Sequence, residues 1–264
     1  MQQVQLDELQ QWFDSYVRTY NDIDEEGSRN IQLKVEHTRK VCEAMALLAA
    51  GEGLTPEESR IAAAVALLHD VGRFPQFRRW RTFRDSDSDN HARLGIEVIR
   101  EQGVLDRLPA TERLLIEEAV RFHNLRALPL RFRSPTPLFI RLVRDADKLD
   151  IWRVFLDYFR QPAGQRASAV TLGFPDLPGV SPACVRELAA GRVIRLEDVR
   201  VLNDFKLLQI SWIYDLNFSS SYRLLRQRGH IAALAATIPL DGSAAQAVAR
   251  AFTFIDRQVQ KETQ

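Results

Sequence analysis

Apolar positions recur at three- and four-residue spacing along most of the chain, and that period predicts helices. Leu6, Leu9, Trp12, Phe13, Tyr16, Val17 and Tyr20 define an amphipathic opening helix. The polar stretch NDIDEEGSRN follows, and a second helix is expected over about 31–50 on Val35, Val41, Met45 and Leu48. Thr55-Pro56-Glu57-Glu58 is a capping box with proline at the first helical position, opening a third helix into AAAVALLHD. Between Val71 and Asn90 no apolar period is sustained, so a long loop is expected, and long loops in compact domains often carry function. Further helices are predicted over about 91–102, 111–123 and 137–159, separated by Gly103, Pro109 and the ALPLRFRSPTP stretch. Residues 161–200 are rich in Gly and Pro and read as an irregular connection with short helices at most. Helical pattern resumes over about 203–218, 219–227 and 243–258. The predicted fold class is all-α: a helical core over 1–160, then an irregular connection and C-terminal helices over 161–264, packed on that core.

Composition narrows the function classes. Of 264 residues, 45% are hydrophobic and 27% charged, an ordinary globular balance. The net charge of +1 supplies no global attraction to nucleic acid or acidic membranes, so both are disfavoured as partners. The chain has no apolar run of membrane-spanning length and a polar N-terminus, which together lead to the expectation of a cytoplasmic protein without signal peptide. Cys42 and Cys184 are too few and too far apart for a disulfide framework or a thiolate zinc site, and both read as small buried hydrophobes. Only five of the 36 cationic residues are lysine; arginine excess follows from genome composition, or from the fit of guanidinium forks to phosphate.

The chemistry lies in the histidines. His37, the pair His69-Asp70, His91, His123 and Asp147 all fall on predicted helix faces or ends. VALLHD ends an apolar helix with a charged pair, and RDADKLD places Asp147 near the inward face marked by Ile140, Val143, Ile151 and Val154. Carboxylates and imidazoles in such positions need partners, and a divalent cation is one that both ligate. Taken singly, a histidine near a helix end is usually a cap or core residue rather than a ligand. As an ordered set, His37, His69-Asp70 and Asp147, with the contexts HDVGR and DADKLD, resemble the HD-domain metal-dependent phosphohydrolase superfamily over about residues 30–160. The resemblance implies an HD-domain helical bundle with an additional C-terminal helical portion. It also implies a metal held by His37, His69, Asp70 and Asp147, with a second held by Asp70, His91 and His123. The implied cofactors are divalent ions drawn from Fe, Mn or Mg, two of them, with a one-metal site in which His91 and His123 contact substrate as the alternative. His230 lies outside the pattern and reads as structural or exposed.

Asp70 and Arg73 are the expected catalytic residues, with Lys148 beside the last ligand as a third, and Asp150 is a candidate support for the ligands. Arg73 takes the place of the basic residue in the family's HD-x-G-K pattern. The segment RFPQFRRWRTFR offers Arg73, Arg78 and Arg79 as phosphate contacts, interleaved with Phe74, Phe77, Trp80 and Phe83 for base stacking. The bland reading is a short amphipathic segment that packs its aromatics and solvates its arginines. DSDSDN is sufficiently explained as a cap for the next helix, through Asp89 or Asn90. The expected reaction is hydrolysis of a phosphoester by metal-activated water. Its substrate is a small phosphorylated metabolite, with a nucleotide as first choice. A homodimer is left open. Two other classes compete: a di-iron oxygenase with the same ligand set, and a non-catalytic signalling module stabilised by its metal.

Overall fold

The computed structural model describes residues 1–21, 24–125, 132, 135–162, 165–239 and 241–260. Every regular element among them is helical, as the apolar period requires. The connection expected at ALPLRFRSPTP lies mostly outside the described residues. The chain divides into two compact units, one of Met1–Asp150 with Ala163–Ala169 and one of Ile151–Pro162 with Val170–Gln264.

The first unit contains α1 (Gln3–Arg18), α2 (Glu25–Gly51), α3 (Pro56–Leu68), α4 (Arg73–Trp80), α5 (His91–Glu101), α6 (Ala110–Phe122) and the leading part of α7 (Thr136–Arg160). Helix α3 is its central strut. The Thr55 hydroxyl accepts from Glu58 N while the Glu58 carboxylate accepts from Thr55 N, so the predicted capping box starts the helix. From Ile61 to Leu68 all but one residue is buried, because α3 packs against α1, α2 and α6 at once.

Two stretches expected to be irregular are helical. Helix α2 begins at Glu25, inside the polar stretch, because the Asp24 carboxylate caps Gly27 N at 2.7 Å and Glu25 and Glu26 fill the first turn, where the helix dipole favours acids. Helix α4 occupies Arg73–Trp80 of the predicted loop. Phe74 and Phe77, one turn apart, are both buried, and Phe74 packs on Phe13, Tyr16 and Tyr20 of the first helix and its end. Eight residues are too few to sustain a period, so tertiary burial makes this helix.

The second unit comprises the remainder of α7 with α8 (Pro182–Ala189), α9 (Leu202–Ser211), α10 (Ser219–Arg228), α11 (His230–Ala235) and α12 (Gly242–Gln260). All ten residues of α9 are buried, and α8, α11 and α12 pack around it. Its buried Asp204 is satisfied by Ser181 N and Oγ and by Arg200 N, which ties the irregular connection to the helix start. No helix among the described residues is long and apolar enough to cross a membrane.

Candidate metal centre

The six candidate ligands come from five helices of the first unit. His37 lies within α2, His69 is the C-cap of α3 with Asp70 next, His91 opens α5, His123 is the C-cap of α6, and Asp147 lies on α7. Two groups of buried ligand atoms result: His37, His69 and Asp70, then Asp70, His91 and His123. Asp70 is shared, and its two oxygens face different ways. Oδ2 is 3.7 Å from both His37 Nε2 and His69 Nε2, whereas Oδ1 is 3.5 Å from His91 Nε2. Asp147 completes the first group, with Oδ1 at 3.0 Å from His37 Nε2 and 3.8 Å from His69 Nε2. Ligand atoms bound to one ion at roughly 2.1 Å lie about 3.0–3.5 Å apart, so these separations suit ions seated between them.

The ring tautomers follow from the helix geometry. His69 and His123 end their helices, and each Nδ1 donates at 2.7 Å to the carbonyl three residues back, Ala66 and Val120, which the helix end leaves unpaired. His37 Nδ1 donates to Asp150 Oδ2 at 2.8 Å, and His91 Nδ1 to Asp85 Oδ2 at 2.8 Å. With all four Nδ1 atoms donating, all four Nε2 atoms present lone pairs to the centre. His91 Nε2 and His123 Nε2 then face each other at 3.1 Å, and His69 Nε2 is buried with no hydrogen-bond partner among the described residues. Opposed lone pairs and an orphaned buried nitrogen are unfavourable unless a cation sits among them. The residues present fit a divalent metal at each group.

The electrostatics agree. Burial, reinforced by Arg73, pushes His91 down to about 4, and burial with His69 pushes His123 down to about 4, so both rings are neutral at pH 7. His69 is lowered by burial as well. Burial and Lys34 pull His37 down, but Asp147 and Asp150 outweigh them and its pKa is raised; the carboxylate that draws a proton to Nε2 draws a metal equally. Burial opposes ionisation of Asp70, yet Lys34, His69, Arg73 and His91 hold its carboxyl well below the usual range.

The predicted substrate residues divide. Arg73 is at the centre: Nε lies 3.4 Å from Asp70 Oδ1, and Nη1 donates to Phe83 O at 2.6 Å, Gln76 Oε1 at 2.9 Å and Asp85 Oδ1 at 3.0 Å. Arg78 donates to Thr19 O and lies over the Tyr20 ring, and Arg79 lies over Trp80, so both are engaged on the flank of α4. Lys148 is buried on α7 beside Asp147, and His230 opens α11 in the second unit.

Two residues of the centre escaped the sequence reading. Asp85 was absorbed into a capping stretch; Asn90 does cap α5, accepting from Arg93 N at 3.0 Å, but Asp85 holds both His91 and Arg73. Lys34, one helical turn before His37, places Nζ 2.8 Å from Asp70 Oδ2. Its i, i+3 spacing from His37 was the available signal.

Gly72 explains the glycine of HDVGR. A Cβ there would collide with His91 O and Gly95 N of α5, so only glycine lets the turn after Asp70 touch the helix that presents His91. Gly72→Ala is expected to lower stability by about 1–3 kcal/mol and to reduce metal retention through His91. Thermal denaturation checks this; an unchanged Tm would show that α5 has room to retreat.

Residues 35–152 match the family model described as HD domain. Over that stretch the chain is similar to HD domains. No curated protein and no solved structure matches the chain. HD domains bind divalent metals, and the likeness points to metal-dependent hydrolase-type activity in general. The match spans the first and last candidate ligands and Asp150, whereas α8 to α12 fall outside it.

Proposed function

We propose that this protein is a cytoplasmic phosphohydrolase using two divalent metal ions to cleave a phosphoester of a small phosphorylated metabolite, with a nucleotide as the favoured class. The observation that carries the reading is Asp70, one buried carboxylate whose two oxygens serve two separate groups of histidine nitrogens. Divalent ions held there supply Lewis acidity toward phosphoryl oxygens and water that ionises near neutral pH.

The remaining work belongs to the chain. Nδ1 donation to Ala66, Val120, Asp85 and Asp150 fixes the four rings, so the centre is organised before substrate arrives. Arg73 is anchored through Nη1, while Nη2 makes no hydrogen bond among the described residues and is the edge offered to a phosphate. Phe83 lies beneath both cations of the centre, 5.2 Å from Lys34 Nζ and 6.0 Å from the Arg73 guanidinium carbon. Trp80, half-buried on α4, supplies aromatic surface that suits a base.

Metal analysis of protein purified without chelator, followed by a phosphoester panel that includes nucleotides, tests the reading. About two ions per chain and turnover abolished by chelation are expected. O2 consumption by an iron form that cleaves no phosphoester would replace hydrolysis with oxygenation.

A further inference from the structure

Lys34 is the cation nearest the shared carboxylate, and its setting is built. Nζ pairs with Asp70 Oδ2 at 2.8 Å, the lysine side chain is 13% exposed against 4% for the carboxylate, and the Phe83 ring faces the ammonium at 5.2 Å. Oδ2 is also the oxygen turned toward His37 and His69, each 3.7 Å away, so it is the oxygen that would hold a metal in the first group. Arg73 sits on the other oxygen, Oδ1, facing the second group. The cation at Oδ1 is fixed by Phe83 O, Gln76 and Asp85, while Lys34 sits on a flexible stem and reaches Oδ2 from one turn before His37.

We infer that the Lys34 ammonium is an internal competitor for the first metal: it neutralises Asp70 Oδ2 until a divalent ion displaces it, and it thereby sets the metal affinity of the first group. The inference rests on the metal reading of the site. A single positive charge within a few ångströms of a dication in a buried site repels it strongly. Removing that charge must therefore tighten metal binding, whereas a lysine that merely orients Asp70 would, on removal, weaken it. The sign of the change separates the two roles.

The test is calorimetric titration of Mn²⁺ into the full chain after chelation and dialysis, comparing wild type with Lys34→Met, Lys34→Gln and Lys34→Arg. In Lys34→Met and Lys34→Gln the Mn²⁺ site of the first group is expected to gain at least about tenfold in affinity, about 1.4 kcal/mol. Lys34→Arg, which keeps the charge, is expected to bind as wild type does. The Tm of the chelated protein should fall in the neutral variants, and the Tm at saturating Mn²⁺ should not. Lys34→Gln keeps a donor for Oδ2 and preserves the test if the methionine variant fails to fold without metal. Neutral variants that bind Mn²⁺ no more tightly than wild type overturn the inference alone. A wild type that takes up no Mn²⁺ overturns it together with the metal reading.

Discussion

Asp70→Asn is expected to empty both metal groups at once and to abolish phosphoester turnover. No other candidate ligand lies in both groups, since Oδ2 faces His37 and His69 while Oδ1 faces His91. An amide keeps the volume but offers one neutral oxygen in place of two anionic ones, and its nitrogen cannot ligate. Metal content should fall from about two ions per chain to well under one. Loss of the ions removes several kcal/mol of transition-state stabilisation, and about 4 kcal/mol corresponds to roughly a thousandfold in rate. The substitution also strips Lys34 and Arg73 of the carboxylate they share; Arg73 keeps Asp85, but Lys34 loses the carboxylate 2.8 Å from its Nζ. Breaking such a pair costs about 3–5 kcal/mol, so circular dichroism must accompany the metal analysis. Asp70→Glu is the control for folding: it keeps the charge near both cations but moves the oxygens by one methylene. A folded Asp70→Asn protein that retains two ions would show that Asp70 does not bridge.

How much of this centre was legible in the sequence depended on where each residue sits relative to a helix. His69, Asp70, His91 and His123 lie at helix ends, where capping signals and apolar runs mark the boundary, and Asp147 lies in the DADKLD context on a helix buried over most of its circumference. Their order and contexts resemble the HD pattern, and the HD family model matches the stretch that holds them. Lys34 was hidden because a lysine on an amphipathic helix ordinarily snorkels to solvent, and nothing local shows that this one reaches inward to Asp70. Asp85 was hidden for a different reason. It stands in a one-turn 3₁₀ segment, six residues before the histidine it holds, a separation with no helical or strand period.

Helix lengths follow the same logic. Helices such as α5, α6 and α7 were read within a residue or two, whereas α4 and the first six residues of α2 were not, since one has eight residues and the other begins on charged ones. The division between the two compact units falls inside α7, after Asp150, where the sequence runs on in unbroken helical pattern. Contacts made by residues far along the chain draw that line, and local pattern carries no mark of them.

Asp85→Asn is expected to remove the second ion selectively. The Asp85 carboxylate accepts from His91 Nδ1 at 2.8 Å and from Arg73 Nη1 at 3.0 Å, so one anion aims a ligand of the second group and anchors the guanidinium beside it. Asp85 is itself held below the usual carboxylate range: burial opposes its ionisation, but the hydrogen bond and charge of His91, then Arg73, outweigh it. An asparagine can still accept from one donor but brings no charge, so the ring is aimed less firmly and Nε2 becomes less basic. Loss of such a supporting carboxylate typically costs about 10–100-fold in metal affinity. Stoichiometry at limiting metal should drop from about two to about one, with the ion at His37, His69 and Asp147 retained. Asp150→Asn is the mirror experiment, since Asp150 supports His37 and should weaken the first ion instead. The two variants also separate in kinetics. Only Asp85→Asn loosens Arg73, so only it should raise KM for a phosphoester at saturating metal. Equal losses of both ions in either variant would mean that the two groups load as one cooperative unit rather than as two sites sharing a carboxylate.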